Sequence, residues 1–428
     1  MDVEVISKET IKPSTPTPKH LQIYKFSFTD QISPSFYIPL IYFYNLNDHK
    51  LGNNIISGDL KKSLSKVLTH YYPLAGCLND DYVDCNDKGV LFLEAKVKCN
   101  LSQIIGEPNP RKLNKFLPDH VKNFILAIQV NFFDCGNIAI GACVSHKIAD
   151  ASTFITFIKN WAAAASFGGG GGDDSVKICP ELLSATLFPP RDVGESCRVS
   201  LPAEKNIVCK SFVFRGSRIA ALKEKYAGGI HPTRVEALSA FIWSRFAAST
   251  EIKIGPERVS MLVHAVNLRK RMDPPQPDDS FGNISGPTAT IISEDIGEEC
   301  YGLVKMFRDA IGRINKDYAK KLQEGVFEHF GLLGSINDDG FDRREVVNFY
   351  YTSLCRFPLY EADFGWGKPI WVAWGGWPYR NIAVLMDTKC GNGIEAWIHL
   401  KEEDMVKFEA DKEFLSYVSP TSCAQRMY

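Results

Sequence analysis

Short apolar runs rich in β-branched and aromatic residues recur along this 428-residue chain, separated by stretches whose apolar residues return every three or four positions. Strand and helix patterns that alternate in this way demand sheets covered by helices, and this constrains the fold more than any other feature. In the first half the strand-like runs are "FYIPLIYFY", "VLFLEAKV" (Val90–Val97), "FILAIQVNFF" (Phe124–Phe133) and "NIAIGACVS" (Asn137–Ser145). Helical stripes interrupt them. Leu60, Leu64, Val67 and Leu68 share one face of a helix that must stop at Pro73 and Gly76, and Phe154, Phe157, Ile158 and Trp161 form another stripe. In the second half, "NIVCKSFVF", "VSMLVHAVNLR", "PIWVAW", "IAVLMD" and "IEAWIHL" read as strands. Thr233 and Glu236 have capping-box spacing ahead of Leu238, Phe241, Ile242 and Phe246.

A chain of this length exceeds one core, so two α/β domains are expected, each a mixed β-sheet with packed helices. Their expected limits are 1–177 and 207–428, joined by a proline-rich crossover over 178–206. The glycines of "FGGGGGDD" (Phe167–Asp174) are expected to form a surface loop, because no Lys-Ser/Thr follows to make a phosphate cradle. With 45% hydrophobic and 23% charged residues and a net charge of −1, the chain lacks the basic field that nucleic acid requires. Its longest apolar stretch, Ser35–Tyr44, is about half a membrane span and contains Pro39. The first residues are wrong for a signal or transit peptide, and none of the twelve cysteines forms a Cys-x-x-Cys pair. A reducing cytosol, a monomer and no metal are expected.

Among nine histidines only His146, in "VSHKIADAST", has an aspartate four positions on, and it sits where a strand pattern meets a helix pattern. The spacing leaves two roles open for Asp150: acting with His146 on one face, or turning away to anchor the corner. A neutral imidazole can take a proton from an alcohol and return it to a leaving group, which suits group transfer. The sequence has no HExxH and no Gly-x-Ser-x-Gly elbow, so it carries neither a metalloprotease motif nor the nucleophile signature of an α/β-hydrolase. A second stretch, "LYEADFGWGKP" (Leu359–Pro369), reads as a tight packed loop. Gly365 and Gly367 give backbone freedom there, Phe364 and Trp366 give packing area, and Asp363 needs a donor partner if buried.

"HKIAD" and "DFGWG" together resemble the paired signatures of the plant BAHD acyl-CoA-dependent acyltransferases. The resemblance runs nearly end to end, through "LSKVLTHYYPLAG", "AVNLRKRMDPP", "FGN" (Phe281–Asn283) and "MDTKCGNGIEAW". It is nearest to the branch of vinorine synthase and neighbouring alcohol acetyltransferases. The resemblance implies two chloramphenicol-acetyltransferase-like domains, with His146 between them as general base and no acyl-enzyme. It implies acetyl-CoA or another acyl-CoA as co-substrate, no bound cofactor, and an alkaloid or hydrophobic alcohol as the small-molecule acceptor. It also implies that Asp150 braces the corner by pairing with an arginine; Arg269 and Arg271 are the candidates for Asp150 or Asp363. Asn283 is a candidate for lining the site. Thr352 matches a family Thr-x-Trp element that helps form the acyl pocket, whereas Leu354 stands where tryptophan is common. A roomier pocket would admit benzoyl or hydroxycinnamoyl groups, N-acyl transfer uses the same chemistry, and an inert ligand-binding member is a further alternative.

Overall fold

Near-continuous apolar runs are buried on both faces, and Leu126–Phe133 and Ile138–Ser145, apolar except at Gln129, Asn131 and Ser145, are buried throughout. They occupy the middle of the first of two six-stranded sheets in the computed structural model. The structure describes residues 1–46, 52–106, 108–119, 121–166, 179–193, 203–255, 257–294, 302–325 and 345–419. The glycine run Phe167–Asp174 lies outside the described residues.

In chain order the strands are β1 (Val3–Ile11), β2 (Ile23–Lys25), β3 (Tyr37–Tyr44), β4 (Cys77–Leu78) and β5 (Tyr82–Asp84). β6 (Val90–Val97), β7 (Leu126–Phe133), β8 (Ile138–Ser145), β9 (Ile207–Phe214) and β10 (Arg258–Asn267) follow. The last five are β11 (Ser285–Ile292), β12 (Glu345–Ser353), β13 (Trp371–Trp374), β14 (Ile382–Asp387) and β15 (Ile394–Lys401). The first sheet runs β1-β6-β7-β8-β3-β13 and the second β11-β10-β12-β14-β15-β9; β2, β5 and β4 form a small third sheet. Both large sheets are mixed, with β6 parallel to β7 and β12 parallel to β10 and β14.

Trp371–Trp374, within the stretch expected to form the second domain, is an edge strand of the first sheet and pairs antiparallel with β3. The chain therefore crosses back between the two halves. Two strands of the second sheet were not anticipated. β11 contains Gly286 and Pro287, both breakers, but it is an edge strand, where a missing N–H is tolerated. β12 carries Val346, Val347, Phe349 and Tyr351, a β-branched and aromatic pattern that was a usable signal.

On the first sheet the Asn53–Leu68 helix packs along the Ala151–Ser166 helix, and Trp161 Nε1 donates to Leu60 O and Ser63 Oγ, both at 3.1 Å. The expected stripe residues Leu60, Leu64, Val67 and Leu68 are all buried. In the second half the Arg234–Ser249 helix starts on the expected capping box, with Glu236 N–H on Thr233 Oγ1 and Thr233 N–H on Glu236 Oε2. A smaller core of Phe28, Phe188, Val266, Leu268 and Ile284 draws on both halves and on the 179–193 stretch. That part of the expected crossover is held in place: Phe28 N–H donates to Phe188 O, and Arg191 N–H to Gln31 Oε1.

Candidate active site

β8 ends at Ser145, and the backbone N–H of His146 donates to Phe36 O at 2.8 Å, just ahead of the first β3–β8 pair, Tyr37 with Ser145. Four residues later Asp150 caps the next helix, its Oδ1 accepting Thr153 N–H at 2.9 Å. The helix cannot begin before this cap, so the turn between strand and helix leaves His146 half-buried at the corner.

The imidazole is held through one nitrogen. Nδ1 lies 3.0 Å from Asn283 Oδ1, and the orientation of that amide is fixed by Nδ2, which donates to Asp30 Oδ1 and to His146 O, each at 2.8 Å. An amide oxygen only accepts, so Nδ1 carries the proton and Nε2 keeps its lone pair. Among the described residues Nε2 has no hydrogen-bond partner. Burial holds the pKa of His146 below the usual histidine value, which keeps the ring neutral at neutral pH. A neutral imidazole with Nε2 free can accept a proton there.

Asp30 anchors the amide. It is fully buried in the short Phe28–Ile32 helix, accepts Ser27 N–H and Oγ–H on Oδ2, and takes Asn283 N–H as well as Nδ2–H on Oδ1. Burial pushes its carboxyl above the usual carboxylate range, opposed by the bonds from Ser27 and Asn283. The Lys147 ammonium lies on the carbonyls of Asp30, Gln31 and Ser33 at 3.1, 3.0 and 2.9 Å.

Asp150 faces the second half. Arg269 donates Nη1–H to Asp150 Oδ2 at 2.7 Å and Nη2–H to Oδ1 at 3.1 Å, a two-pronged ion pair that is 0% and 5% exposed at residue level. The guanidinium also reaches Ser280 O, Gly282 O and Thr153 Oγ1, and Asp150 Oδ2 takes Ile284 N–H. Arg269 thus fixes the loop that carries Asn283. Asp150 has turned away from His146.

Arg271 serves a different place from either aspartate. It lies on the same 3-10 turn, Arg269–Arg271, where residues two apart point in different directions, and its Nη1 closes the carbonyls of Ile311 and Ile314 at the end of the Leu303–Arg313 helix. Asp363 takes no arginine among its described contacts. Half-buried, it accepts the N–H groups of Gly365 and Gly367 at 2.8 and 2.9 Å, shaping a loop in which both glycines have positive φ. Phe364 and Trp366 stack on each other, Phe364 meets Trp161 edge-on, and both rings meet Tyr44. Trp161 is about 16 Å along its helix from Asp150, so the loop braces the far end. Thr352 is half-buried on β12; Leu354, at 1% exposure, belongs to the core and offers almost no surface to a pocket.

Beside His146 stands a half-buried aromatic group contributed by both halves. The Phe36 ring meets the imidazole edge-on at 5.1 Å and contacts Trp377 at 4.6 Å and Tyr379 at 5.5 Å. Trp377 Nε1 is anchored on Tyr37 O at 2.8 Å. Sequence reasoning missed Asp30, Phe36, Lys147, Trp377 and Tyr379. For Asp30 the local signal was its capping box with Ser27, which marks a helix start and says nothing of Asn283. Among the described residues no three His, Cys, Asp or Glu side chains converge as a metal site, and no helix is long and apolar enough to cross a membrane.

Residues 1–415 match the Transferase family. Salutaridinol 7-O-acetyltransferase of Papaver somniferum is 37% identical, covering 95% of this chain and 96% of that protein. Limonoid 21-O-acetyltransferase of Melia azedarach is 38% identical, covering 98% and 99%. The crystal structure of vinorine synthase superposes with a TM-score of 0.84 at 35% identity, over 99% of this chain and 100% of that one. Matched along almost its whole length in both sequence and fold, the chain belongs to the Transferase family, the BAHD acyltransferases.

Proposed function

We propose that the protein transfers an acetyl group from acetyl-CoA to the hydroxyl of a hydrophobic, ring-bearing alcohol, with His146 as general base. The observation that carries this reading is the contact of His146 Nδ1 with Asn283 Oδ1, which leaves Nε2 unprotonated and, among the described residues, without a hydrogen-bond partner. As the acceptor oxygen attacks the thioester carbonyl, Nε2 takes its proton. When the C–S bond breaks, the proton passes to the departing sulfur and CoA leaves as the thiol. No bond to the enzyme forms. A positioned base supplies roughly 10²- to 10⁴-fold, and holding both substrates in attack geometry supplies the larger share.

Asp150 and Arg269 act as the brace, and Asn283, fixed by Asp30, sets the tautomer. The wall of Phe36, Trp377 and Tyr379 supports an apolar ring system as acceptor, because flat aromatic faces favour stacked rings. The names of the two relatives, acetyltransferases of salutaridinol and of a limonoid, support acetyl as the donor group and an alcohol oxygen as the acceptor.

The test is a screen of the purified protein with acetyl-, benzoyl- and hydroxycinnamoyl-CoA against alkaloid, terpenoid and benzenoid alcohols and amines, read by product mass. Acetylated ring alcohols are expected. Products bearing only the larger acyl groups, or only amides, would displace this reading, and no product from any pair would refute it.

A further inference from the structure

We propose that Lys147 is a positioning residue for His146, resting on the reading of His146 as the base. Its ammonium ties the 27–36 segment, which holds the imidazole from two sides, to the His146 corner.

An ammonium has three N–H donors, and Lys147 faces three carbonyls, those of Asp30, Gln31 and Ser33, at 2.9 to 3.1 Å. These are carbonyls at the end of the Phe28–Ile32 helix and in the turn after it, and a cation there both closes hydrogen bonds and opposes their partial charge. The tied segment holds His146 twice. Asp30 orients the Asn283 amide that receives Nδ1–H, and Phe36 O receives the His146 backbone N–H while its ring abuts the imidazole. The β3–β8 ladder begins only at Tyr37, so the residues ahead of it are outside the sheet. Lys147, next in sequence to the base, joins the segment to the corner directly. Releasing it frees the 33–36 turn and the Asp30 end of the amide relay together, and the imidazole loses both its ring contact and its tautomer lock.

The variants are Lys147→Met, which keeps the length and loses the charge and donors, and Lys147→Arg, which keeps both. Lys147→Met is expected to lower kcat about 10- to 100-fold, with KM for acyl-CoA and for the acceptor each changed by no more than about twofold. Its Tm should stay close to that of the parent, and Lys147→Arg should recover most of the loss. The second readout is the ¹⁵N imidazole spectrum of His146, assigned by its disappearance in His146→Gln. The parent is expected to be the pure Nδ1–H tautomer and Lys147→Met a mixture. Unchanged kcat and tautomer in Lys147→Met would overturn the proposal. So would a loss explained by a rise in KM, or a fall in Tm shared by both variants. A parent without transferase activity refutes the proposed function instead, and the tautomer spectrum then decides the role of Lys147 alone.

Discussion

Arg269 grips both carboxylate oxygens of Asp150, 119 residues away in sequence, and the pair is closed to solvent. It joins the start of the Ala151–Ser166 helix to the loop between β10 and β11, and so fixes the distance between His146 and Asn283. Removing one partner of a buried pair leaves the other charged and unsatisfied, at about 3–5 kcal/mol. Arg269→Met should therefore lower the urea midpoint sharply, and Arg269→Lys should recover little, because an ammonium cannot span both oxygens. A stable Arg269→Met protein with normal turnover would contradict the bracing role.

Asn283→Leu removes the acceptor for Nδ1–H and leaves the ring free to exchange tautomers. We expect kcat to fall on the order of 10²-fold while KM for acyl-CoA holds. Steady-state kinetics with both substrates varied separates this from a binding defect, which would appear in KM.

The "DFGWG" loop should behave as structure. Asp363→Ala removes the acceptor for the exposed N–H groups of Gly365 and Gly367, costing about 0.5–1.5 kcal/mol for each bond. In Gly365→Ala the new Cβ would stand 3.2 Å from Ser166 Cα at a φ of +98°, costing about 1–3 kcal/mol. Both variants should lose Tm, and the folded fraction should retain kcat. Normal Tm with selective loss of turnover would place the loop in the chemistry.

Acid should unfold the protein through buried histidines. His264, stacked on Tyr351 and with no hydrogen-bond partner on either ring nitrogen among the described residues, and His399 are both enclosed, and burial lowers each pKa to about 4. The unfolded chain titrates near 6.5, so between these values it binds more protons than the folded one, and stability falls as pH falls. The contribution is complete above pH ~6.5 and lost progressively down to about 4, at most roughly 3 kcal/mol for each residue. His146, also shifted down, acts in the same direction. Urea unfolding at pH 7 and pH 5 measures the loss, and His264→Phe with His399→Phe should flatten it. An unchanged slope in the double variant would contradict the assignment.

What could be read along the chain was local. β3, β6, β7 and β8 stood out as apolar runs, the Thr233 cap as a spacing, and the His146–Asp150 corner as a change of period. The role of Asn283 depends on Asp30, 253 residues away, and no local pattern carries that meeting. Trp371–Trp374 is legible as a strand, but its sheet is set by pairing with β3, more than three hundred residues earlier. Arg269 and Arg271 were indistinguishable in sequence because only the 3-10 turn separates their directions. The aromatic wall likewise appears only when Phe36 meets Trp377 and Tyr379 across the two halves.

In the proposed reaction Nε2 of His146 takes the acceptor's proton. The direct measurement is turnover of acetyl-CoA with an accepted ring alcohol by His146→Ala, alongside its Tm. A loss of roughly 10²-fold or more in kcat is expected, with the fold intact. Turnover within a few-fold of the parent would contradict it.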